Sequence, residues 1–235
     1  MVISKYRILY LLLFLLSLVF TLPIIIIIRT LRPFYLIRVG VIHNGIFGHF
    51  TFEPEYYLSN KVKSRIHSLD LFFFRSLRSV NSQWAKMVKR NIHVYPVVRF
   101  IYDANNLLPG GKHHVVHIMD SGSRDTNNVF HEVDQQIKLL SDEELYAEEC
   151  LKEFGFKKDD KFICIISRDE AYKRKIHPER DWSYHNYRDS DIDNYKEAAR
   201  QLAEIGYFVF RIGAFVEKEF DVDHEKVIDY SSRDI

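Results

Sequence analysis

The chain has 235 residues, a formal net charge of +1 and a sequence pI of about 7.8. This length is enough for one large domain or two small ones with a real core. The balanced charge gives no reason to expect a nucleic-acid-binding protein, because such proteins carry a basic surface. The two cysteines, Cys150 and Cys164, show no metal-ligand spacing and lie in or beside predicted core elements. We therefore expect two buried thiols rather than a disulfide.

The N-terminal segment contains an uninterrupted run of 21 residues without a charge, from Ile8 to Ile28. About 20 apolar residues suffice to cross the hydrocarbon core of a bilayer. A secretory signal has a shorter apolar core, of about 7–15 residues, and a small-residue cleavage site. Neither feature fits this segment. The sequence thus predicts an uncleaved, single-pass membrane anchor over residues 8–28.

Basic residues flank both ends of this anchor. Lys5 and Arg7 precede it, whereas Arg29, Arg32 and Arg38 follow it. Positive residues concentrate on the cytosolic side of membrane proteins. The small excess after the anchor therefore favours a cytoplasmic location for the rest of the chain.

A glycine-containing segment, HNGIFGHF (43–50), follows the first predicted strand, YLIRVGV (35–41). Gly45 and Gly48 permit a close backbone approach or a positive φ. The segment is either a phosphate or sugar cradle at the start of the next helix or a tight turn that requires glycine. His49 is a candidate for contact with an acceptor or for a general base, although a lone histidine in a loop often serves only as a hydrogen-bonding residue.

Strand and helix patterns alternate after this segment, which is typical of an α/β fold. The predicted elements are a helix from Pro54 to about Lys63, strands over 69–74, 92–98 and 113–119, a helix over 81–91 and a loop over 103–111. His113, His114 and His117 lie within the last of these strands. We expect no metal there, because His114 would point to the opposite face of the strand and no carboxylate or cysteine pattern completes a ligand set.

Two helices are predicted next, over 127–140 and 141–154. Ser141 and Glu144 have the spacing of a capping box, and Gly155 has the position of a helix stop. The acidic residues of the second helix are expected to form a solvated face without a function.

A hinge between two α/β units is predicted at GFKKDD (155–160). The predicted fold class is therefore α/β, with a transmembrane helix followed by two Rossmann-like units. The first unit would occupy 34–150. The second would occupy 156–235 and be incomplete, because the chain ends soon after the short predicted strand VIDY (227–230).

The second unit begins with a βαβ pattern. FICII (162–166) and YFVFRI (207–212) are apolar runs of strand length, the form expected of strands covered on both faces. The helix between them is predicted to begin with Ser190 as N-cap and to end at Gly206. Its apolar stripe consists of Ile192, Tyr195, Ala199, Leu202 and Ile205.

The connection between the first of these strands and the helix, 167–189, is predicted to be a long loop with many arginines, lysines and aromatic residues. Such connections usually take about 2–6 residues. This one leaves the carboxyl end of a strand, where ligands bind in open α/β sheets.

Three segments of the second unit, SRD (167–169), SYHNYRDSDIDNY (183–195) and GYFVFRIG (206–213), resemble a group of bacterial glycosyltransferases encoded with surface-polysaccharide genes. The upstream RVG…GHF (38–50) with PEYYL (54–58) is similar to the opening motif of that family. The resemblance covers most of the chain after the first thirty residues. It implies the two-domain B architecture of glycosyltransferases and further donor-site elements after the last predicted strand, so that this chain would be a truncated form.

The resemblance also implies binding partners. These are a nucleotide-sugar donor and a glycan or lipid-linked acceptor. The apolar run predicts membrane contact through residues 8–28, the balanced charge predicts no nucleic acid, and no metal or other cofactor is expected. Arg168 and Arg188 are the candidates for contact with the donor diphosphate, because a guanidinium binds phosphate oxygens in pairs. Each has a structural alternative, which is an ion pair of Arg168 with Asp169 or Glu170 and of Arg188 with Asp189 or Asp191.

Further candidates surround these arginines. Tyr184, His185 and Tyr187 would stack on a base or a sugar ring, or would only hold the loop in place. Arg211 and Gly213 end the next strand at the same edge of the sheet and are candidates for substrate contact. The general base for the acceptor hydroxyl would be His49 or Asp169.

A metal-binding D-x-D motif is not predicted. Asp189, Asp191 and Asp193 have the required spacing, but they lie at a helix start, where acidic residues act as caps.

The leading function is therefore a glycosyltransferase that moves a sugar from a nucleotide donor onto a surface glycan or lipid-linked acceptor. The alternative is a catalytically inactive, truncated paralogue that acts as a membrane-anchored interaction protein. A nucleotide-binding oxidoreductase is a weaker interpretation, because no strand is followed by G-x-G-x-x-G.

Overall fold

The computed structural model describes residues 5–118, 124–176 and 178–232, and the chain divides into two units, 1–139 and 140–235. Both units contain helices and a sheet whose strands pair in parallel. The predicted α/β class is confirmed. The described helices also include one, near the N-terminus, that is long and apolar enough to cross a membrane.

The first unit contains a four-stranded sheet in the order β3-β2-β1-β4. Its elements are α1 (Lys5–Leu31), β1 (Leu36–Ile42), α2 (Phe47–Ser64), β2 (Ser68–Phe74), α3 (Ser82–Asn91), β3 (His93–Val94), α4 (Val98–Leu107), β4 (Val115–Val116) and α5 (Val129–Glu132). The longest pairing joins β1 to β2 over seven residues, from Leu36 opposite Ser68 to Ile42 opposite Phe74.

Helices cover both faces of this sheet. Successive side chains of a strand point to opposite faces, so Phe72 and Phe73 of β2 enter two different cores. Phe72 packs with Phe50 of α2 and Val88 of α3. Phe73 packs with residues of α1 and α4, among them Ile25. The apolar run LFFF is therefore explained by burial on both sides.

The second unit contains a three-stranded sheet in the order β5-β6-β7. Its elements are α6 (Ser141–Lys152), β5 (Phe162–Ile165), α7 (Ala171–Ile176), α8 (Lys196–Glu204), β6 (Phe208–Arg211) and β7 (Val227–Asp229), with short 3₁₀ helices at Ser183–Arg188 and Ile192–Tyr195. All four residues of β6 are buried, as expected for the middle strand. Gly206 has a φ of +103° and follows the end of α8, and Gly155 has a φ of +81° after α6.

The strand β5 differs from its prediction. It lies at the end of the strand order, and its side chains alternate between exposed and covered positions, so Phe162 and Cys164 are exposed. The predictions of a strand covered on both faces and of a buried Cys164 thiol are therefore wrong. A run of apolar residues does not distinguish a central strand from an edge strand whose aromatic side chain packs sideways, as Phe162 does against Phe156.

Several element boundaries in the first unit also differ. Of the predicted strand 92–98 only His93–Val94 pairs, because Pro96 lacks the N–H that a ladder requires, and α4 then includes the first half of the predicted loop 103–111. Of the predicted strand 113–119 only Val115–Val116 pairs. His113 and His114 instead belong to a 3₁₀ turn, where His114 Nδ1 lies 2.7 Å from the Ile37 carbonyl oxygen. Met119 lies outside the described residues.

The predicted helix starts need correction as well. The predicted helix 127–140 is reduced to α5, and α6 begins at Ser141 itself, where the Glu143 carboxylate accepts from the backbone N–H of Leu140. Ser190 does not cap a helix. Its hydroxyl lies 3.1 Å from that of Tyr195, and Asp191 accepts from the backbone N–H of Asp193 instead.

The predicted stripe of the 190–205 helix is correct at Ile192 and Ala199, which are buried, and at Tyr195 and Leu202, which are half-buried. It is wrong at Ile205, which is exposed, because the helix ends at Glu204 and Ala203 takes the buried position.

Asp70 on β2 carries a buried charge network that joins β2 to β1 and α2. Its carboxylate accepts two hydrogen bonds from Arg38 at 2.8 Å, one from the Tyr57 hydroxyl at 2.7 Å and one from Lys61 at 3.0 Å. Burial alone would raise the pKa of Asp70, but the hydrogen bonds from Arg38, Tyr57 and Lys61 outweigh burial and lower the pKa to about 2.

This network predicts a pH-dependent stability. The pKa of Asp70 is lower in the folded protein than its usual value of 3.8, so the ionised network stabilises the fold above that value, and the stabilisation is lost as the pH falls towards about 2. The difference amounts to about 2 kcal/mol. We expect this loss in the free energy of unfolding of the first unit, measured by urea denaturation at a series of pH values. The measurement uses a Trp182→Phe protein, in which the fluorescence of Trp84 reports on the first unit. The Asp70→Asn variant should lack it, and equal pH dependence in both proteins would contradict the assignment.

Candidate active site

The candidate site in the first unit lies at the carboxyl edge of its sheet. The chain runs from β1 outward to β2 and β3 and then returns to the other side of β1 with β4. Such a reversal of strand order opens a crevice beyond the carboxyl ends of the strands, where ligands bind in α/β folds. His43 and Asn44 follow β1 directly, and Arg75 follows β2. The crevice is thus lined by polar side chains whose positions the two longest strands determine.

Glu53 of α2 is the centre of this site. Its side chain is completely buried, although carboxylates are rarely buried without partners. Oε2 accepts from the backbone N–H of His43 at 3.1 Å and lies 3.1 Å from Nδ1 of the same residue. Oε1 lies 3.4 Å from Nδ1 of His49, one helical turn earlier on α2. One buried carboxylate therefore orients two imidazoles.

The hydrogen-bond pattern assigns the protons. Arg75 Nη1 lies 3.1 Å from Nε2 of His43, and a guanidinium only donates. His43 Nε2 must then accept, which places the His43 proton on Nδ1, where it is donated to Glu53. Oε2 of Glu53 therefore accepts from His43, whereas Oε1 has no hydrogen-bond partner among the described residues and lies 3.4 Å from Nδ1 of His49. With a proton on Nδ1, towards this carboxylate, His49 would have its lone pair on Nε2.

The arrangement can therefore perform general base catalysis. A carboxylate behind an imidazole fixes its tautomer and stabilises the imidazolium that forms when the ring takes a proton. The His49 side chain is about one-third exposed, whereas Glu53 is not exposed at all. The predicted base, His49, thus has a buried carboxylate on one side of its ring, and the ring is also accessible to solvent.

The two predicted glycines of this segment have different surroundings. A Cβ atom on Gly45 would collide with the Ser76 hydroxyl, in a tight corner where Asn44 donates to Ser76 O at 3.0 Å and to Ser79 Oγ at 2.9 Å. A Cβ atom on Gly48 would meet nothing within 4 Å. Close packing therefore explains Gly45, whereas Gly48 lies in the open first turn of α2.

A basic groove adjoins this corner. It is lined by Arg78, Ser79, Ser82, Ala85, Lys86, Lys89 and Arg90, and it has a volume of about 740 Å³. The sequence from residue 71 to residue 102 contains no Asp or Glu, although the whole chain is nearly neutral. The groove is therefore suited to an anionic group.

In the second unit, Arg211 occupies the carboxyl edge of the sheet. This guanidinium is completely buried at the end of β6. Its Nη1 donates to Ser231 and lies 3.4 Å from Asp229 Oδ1, and its Nη2 lies 4.0 Å from Asp169 Oδ2. Nε and Nη2 have no hydrogen-bond partner among the described residues. Arg211 thus draws the ends of β5, β6 and β7 together. Gly213 follows, and a Cβ atom there would approach Val216 within 2.9 Å.

Asp169 stabilises the backbone at this edge of the sheet. Its carboxylate accepts from the backbone N–H groups of Ala171 at 3.0 Å and of Glu217 at 2.9 Å, in addition to its proximity to Arg211. These contacts hold the segment after β5 in place. Of the two predicted bases, His49 therefore has the geometry that fits proton transfer better.

The segment 167–189 is not the loop that was predicted, because it contains α7 and the 3₁₀ helix Ser183–Arg188. Arg168 Nη1 donates to the His185 carbonyl oxygen at 3.5 Å, and Arg168 Nε lies 3.6 Å from Asp189. Arg168 therefore lies within ion-pair distance of Asp189, an acid other than the Asp169 or Glu170 of the alternative prediction. Tyr187 and Arg188 are exposed. The Tyr184 ring, also exposed, lies 4.0 Å from the His185 ring.

Three cations surround His185. Desolvation, and after it the positive charges of Lys173, Arg168 and Arg188, lower the pKa of His185. Desolvation and the charge of Arg168 likewise lower the pKa of Lys173. Asp189 opposes both of these pKa shifts, and Glu170 also opposes that of Lys173. The cluster thus has an excess of positive charge, which favours an anionic ligand.

Sequence reasoning missed several members of these sites: His43, Glu53, Arg75, Lys173 and Asp229. The i, i+4 spacing of His49 and Glu53 on a helix was the available signal. It was overlooked because the predicted helix began at Pro54, seven residues later than α2 does.

Comparisons of the chain with protein-family models, with curated proteins and with solved structures found no match. Among the described residues, no group of three or more His, Cys, Asp or Glu side chains is arranged to hold a metal ion. The chemistry of the sites must therefore be argued from the side chains themselves.

The cation cluster predicts a measurable titration. Because Arg168 is one of the charges that lower the pKa of His185, the Arg168→Gln variant should have a higher His185 pKa. Added pyrophosphate should shift it in the same direction by neutralising the cluster. NMR titration of the imidazole signal, assigned with His185→Gln, measures both effects. Lys158→Gln, which precedes β5 at the opposite edge of the sheet, is the control. An unchanged pKa in Arg168→Gln would contradict the cluster.

Proposed function

We propose that the protein is a membrane-attached glycosyltransferase that moves a sugar from a nucleotide donor onto the hydroxyl of a surface-glycan or lipid-linked acceptor. The observation that carries the proposal is the His49–Glu53 pair at the carboxyl edge of the first unit. A transferase must remove the proton of the acceptor hydroxyl while the new bond forms, and an imidazole with a buried carboxylate behind it suits that task. The resemblance to polysaccharide glycosyltransferases and their B architecture points to the same reaction.

The proposed reaction is a displacement at the anomeric carbon of the donor. The acceptor oxygen forms a bond to this carbon and transfers its proton to Nε2 of His49. The bond between the carbon and the donor phosphate breaks, and the nucleoside diphosphate leaves with the bonding electrons. His49 returns its proton to solvent afterwards. Atoms and electrons balance in this displacement without an oxidant, a metal or a further co-reactant.

The second unit would bind the donor. Negative charge grows on the diphosphate as the sugar departs, and cations that are already in place stabilise it without reorganisation. Arg168, Lys173 and Arg188 supply that charge, and Arg211 adds a buried guanidinium at the same edge. The exposed rings of Tyr184 and Tyr187 are available to stack on the base or the sugar.

The basic groove of the first unit would take an anionic part of the acceptor, such as the phosphate of a lipid-linked sugar. Attachment to the membrane through α1 would keep such an acceptor close. Because nucleotide sugars are cytosolic in bacteria, the proposed location of both units is the cytoplasmic side.

Donor binding can be tested by calorimetry with the full chain in detergent or nanodiscs and a panel of nucleoside diphosphates and nucleotide sugars. We expect saturable binding of one nucleotide. Arg168→Ala and Arg188→Ala should each weaken it by about tenfold, the effect of losing one charge-assisted hydrogen bond. Lys158→Ala should bind like the wild type. A folded protein that binds none of the nucleotides would contradict the donor site and favour the inactive interaction protein.

The role of His49 predicts a separate kinetic effect. His49→Ala should lower the rate of nucleoside diphosphate release by about 10²–10⁴-fold, while the affinity for the donor, measured by calorimetry, stays unchanged. Glu53→Gln should lower the rate as well, because it leaves the shape of the site but removes the charge behind the imidazole. His67→Ala, at the amino edge of the same sheet, is the matched control. Wild-type turnover in His49→Ala would refute the assignment of the base.

A further inference from the structure

The helix α1 is packed against the first unit along its length. The side chains of one face contact α4, β1 and β2, and the buried ones are Thr21, Ile25 and Ile28. The rest of the helix presents a broad apolar surface to the outside. We call this surface the outer face, and it consists of Leu9, Leu12, Leu13, Leu16, Val19, Phe20, Ile26 and Ile27.

Polar contacts fix both ends of the helix to the unit. Near its start, the Tyr10 hydroxyl donates to Asp103, and the Tyr10 ring lies 5.8 Å from the Phe100 ring and 4.4 Å from the Arg99 guanidinium. Near its end, Arg29 donates to the Pro109 carbonyl oxygen at 2.8 Å and to the Asn105 side chain at 3.1 Å. The packing is therefore specific at each end as well as apolar between them.

These contacts limit how α1 can meet a membrane. Tyr10 and Arg29 are 19 residues apart, which is about 28 Å along a helix and nearly the whole thickness of about 30 Å of a hydrocarbon core. If α1 crossed the bilayer with its contacts intact, α4 and the neighbouring sheet would lie inside the hydrocarbon. Arg99 and Asp103 would then be buried there at a high cost, and a sheet edge is not tolerated in lipid. The helix cannot keep these contacts and span the membrane.

We propose that α1 stays packed on the first unit and that its outer face inserts into one leaflet of the membrane. Both ends of α1 then lie on the same side of the membrane. An interfacial helix normally needs a polar face of its own. Here α4 and the sheet cover the other side of α1, so the unit itself supplies the polar side. The occupant of the outer face is then the acyl-chain region of the cytoplasmic leaflet.

The basic residues at the ends of α1 support this arrangement. Lys5 and Arg7 precede the apolar run, and Arg29 and Arg32 follow it. In a spanning helix one flank is usually poorer in positive charge, because that flank is translocated. Arg38, the further basic residue after the run, is paired with Asp70 inside the first unit. Two basic residues therefore remain on each flank, as expected when neither end crosses. The proposal rests on the membrane attachment included in the proposed function, but not on the transfer reaction.

Cysteine labelling tests the proposal in the full chain. Both native cysteines are first replaced, by Cys150→Ser and Cys164→Ser. A single cysteine is then introduced at one flank of α1, either as Lys5→Cys or as Arg32→Cys. Intact cells and inside-out membrane vesicles are each treated with a membrane-impermeant maleimide. We expect both flanks to react in inside-out vesicles and neither to react in intact cells, as for the reference His67→Cys in the first unit. Reaction of Lys5→Cys in intact cells together with reaction of Arg32→Cys only in inside-out vesicles would show a spanning helix and overturn the proposal.

A fractionation experiment distinguishes lipid from another occupant of the outer face. We expect wild-type protein in the membrane pellet, and Leu16→Lys with Phe20→Lys to move the folded protein to the soluble fraction, because these side chains are exposed and do not contribute to the core. Recovery of the wild-type protein from the soluble fraction as a dimer would mean that a second copy covers the outer face, and the proposal would fail.

Discussion

The buried carboxylate of Glu53 is the constraint on which the first unit depends. A buried carboxylate without water needs polar partners. Here the backbone N–H of His43, at the end of β1, donates to Oε2, and Nδ1 of His49, in the first turn of α2, lies 3.4 Å from Oε1. The loop between these elements must therefore follow one path. Asn44 completes that path through its bonds to Ser76 and Ser79. The same carboxylate orients His43 through hydrogen bonds and lies beside His49, so stability and chemistry share one set of contacts.

The parallel pairing of β1 with β2 makes this arrangement reproducible. Seven paired residues bring the strands to their carboxyl ends in register, with Ile42 opposite Phe74. Arg75 then comes directly beside His43, and its guanidinium imposes a tautomer on that ring. Asp70 holds the other end of the same pair of strands through Arg38. Charges at both ends of one strand pair thus fix its register, which apolar side chains alone would specify less sharply.

The sequence predicts those parts of the structure in which local pattern and burial agree. β1, β2, α3 and β6 have long or strongly patterned segments, and Gly206 ends α8 as predicted. The two-residue strands β3 and β4 were predicted to be far longer, because their pairing depends on neighbours that are distant in the chain. The candidate site was likewise predicted only in part. Its strand-end position was predicted, whereas Glu53 was missed because it lies within a helix whose start is determined by tertiary contacts.

Each unit buries a charged side chain near the carboxyl edge of its sheet, and the two charges have opposite sign. In the first unit a carboxylate is buried at the carboxyl edge, and in the second unit a guanidinium, Arg211, is buried there. A buried carboxylate increases the tendency of a neighbouring group to bind a proton. This property suits the unit that would receive the proton of the acceptor hydroxyl in the proposed reaction. A buried guanidinium with two unsatisfied nitrogens strengthens the field that acts on an anion, which suits the side that accumulates negative charge. Low dielectric surroundings enlarge both effects. Each α/β unit therefore has the electrostatic sign that its half of the proposed sugar transfer would require.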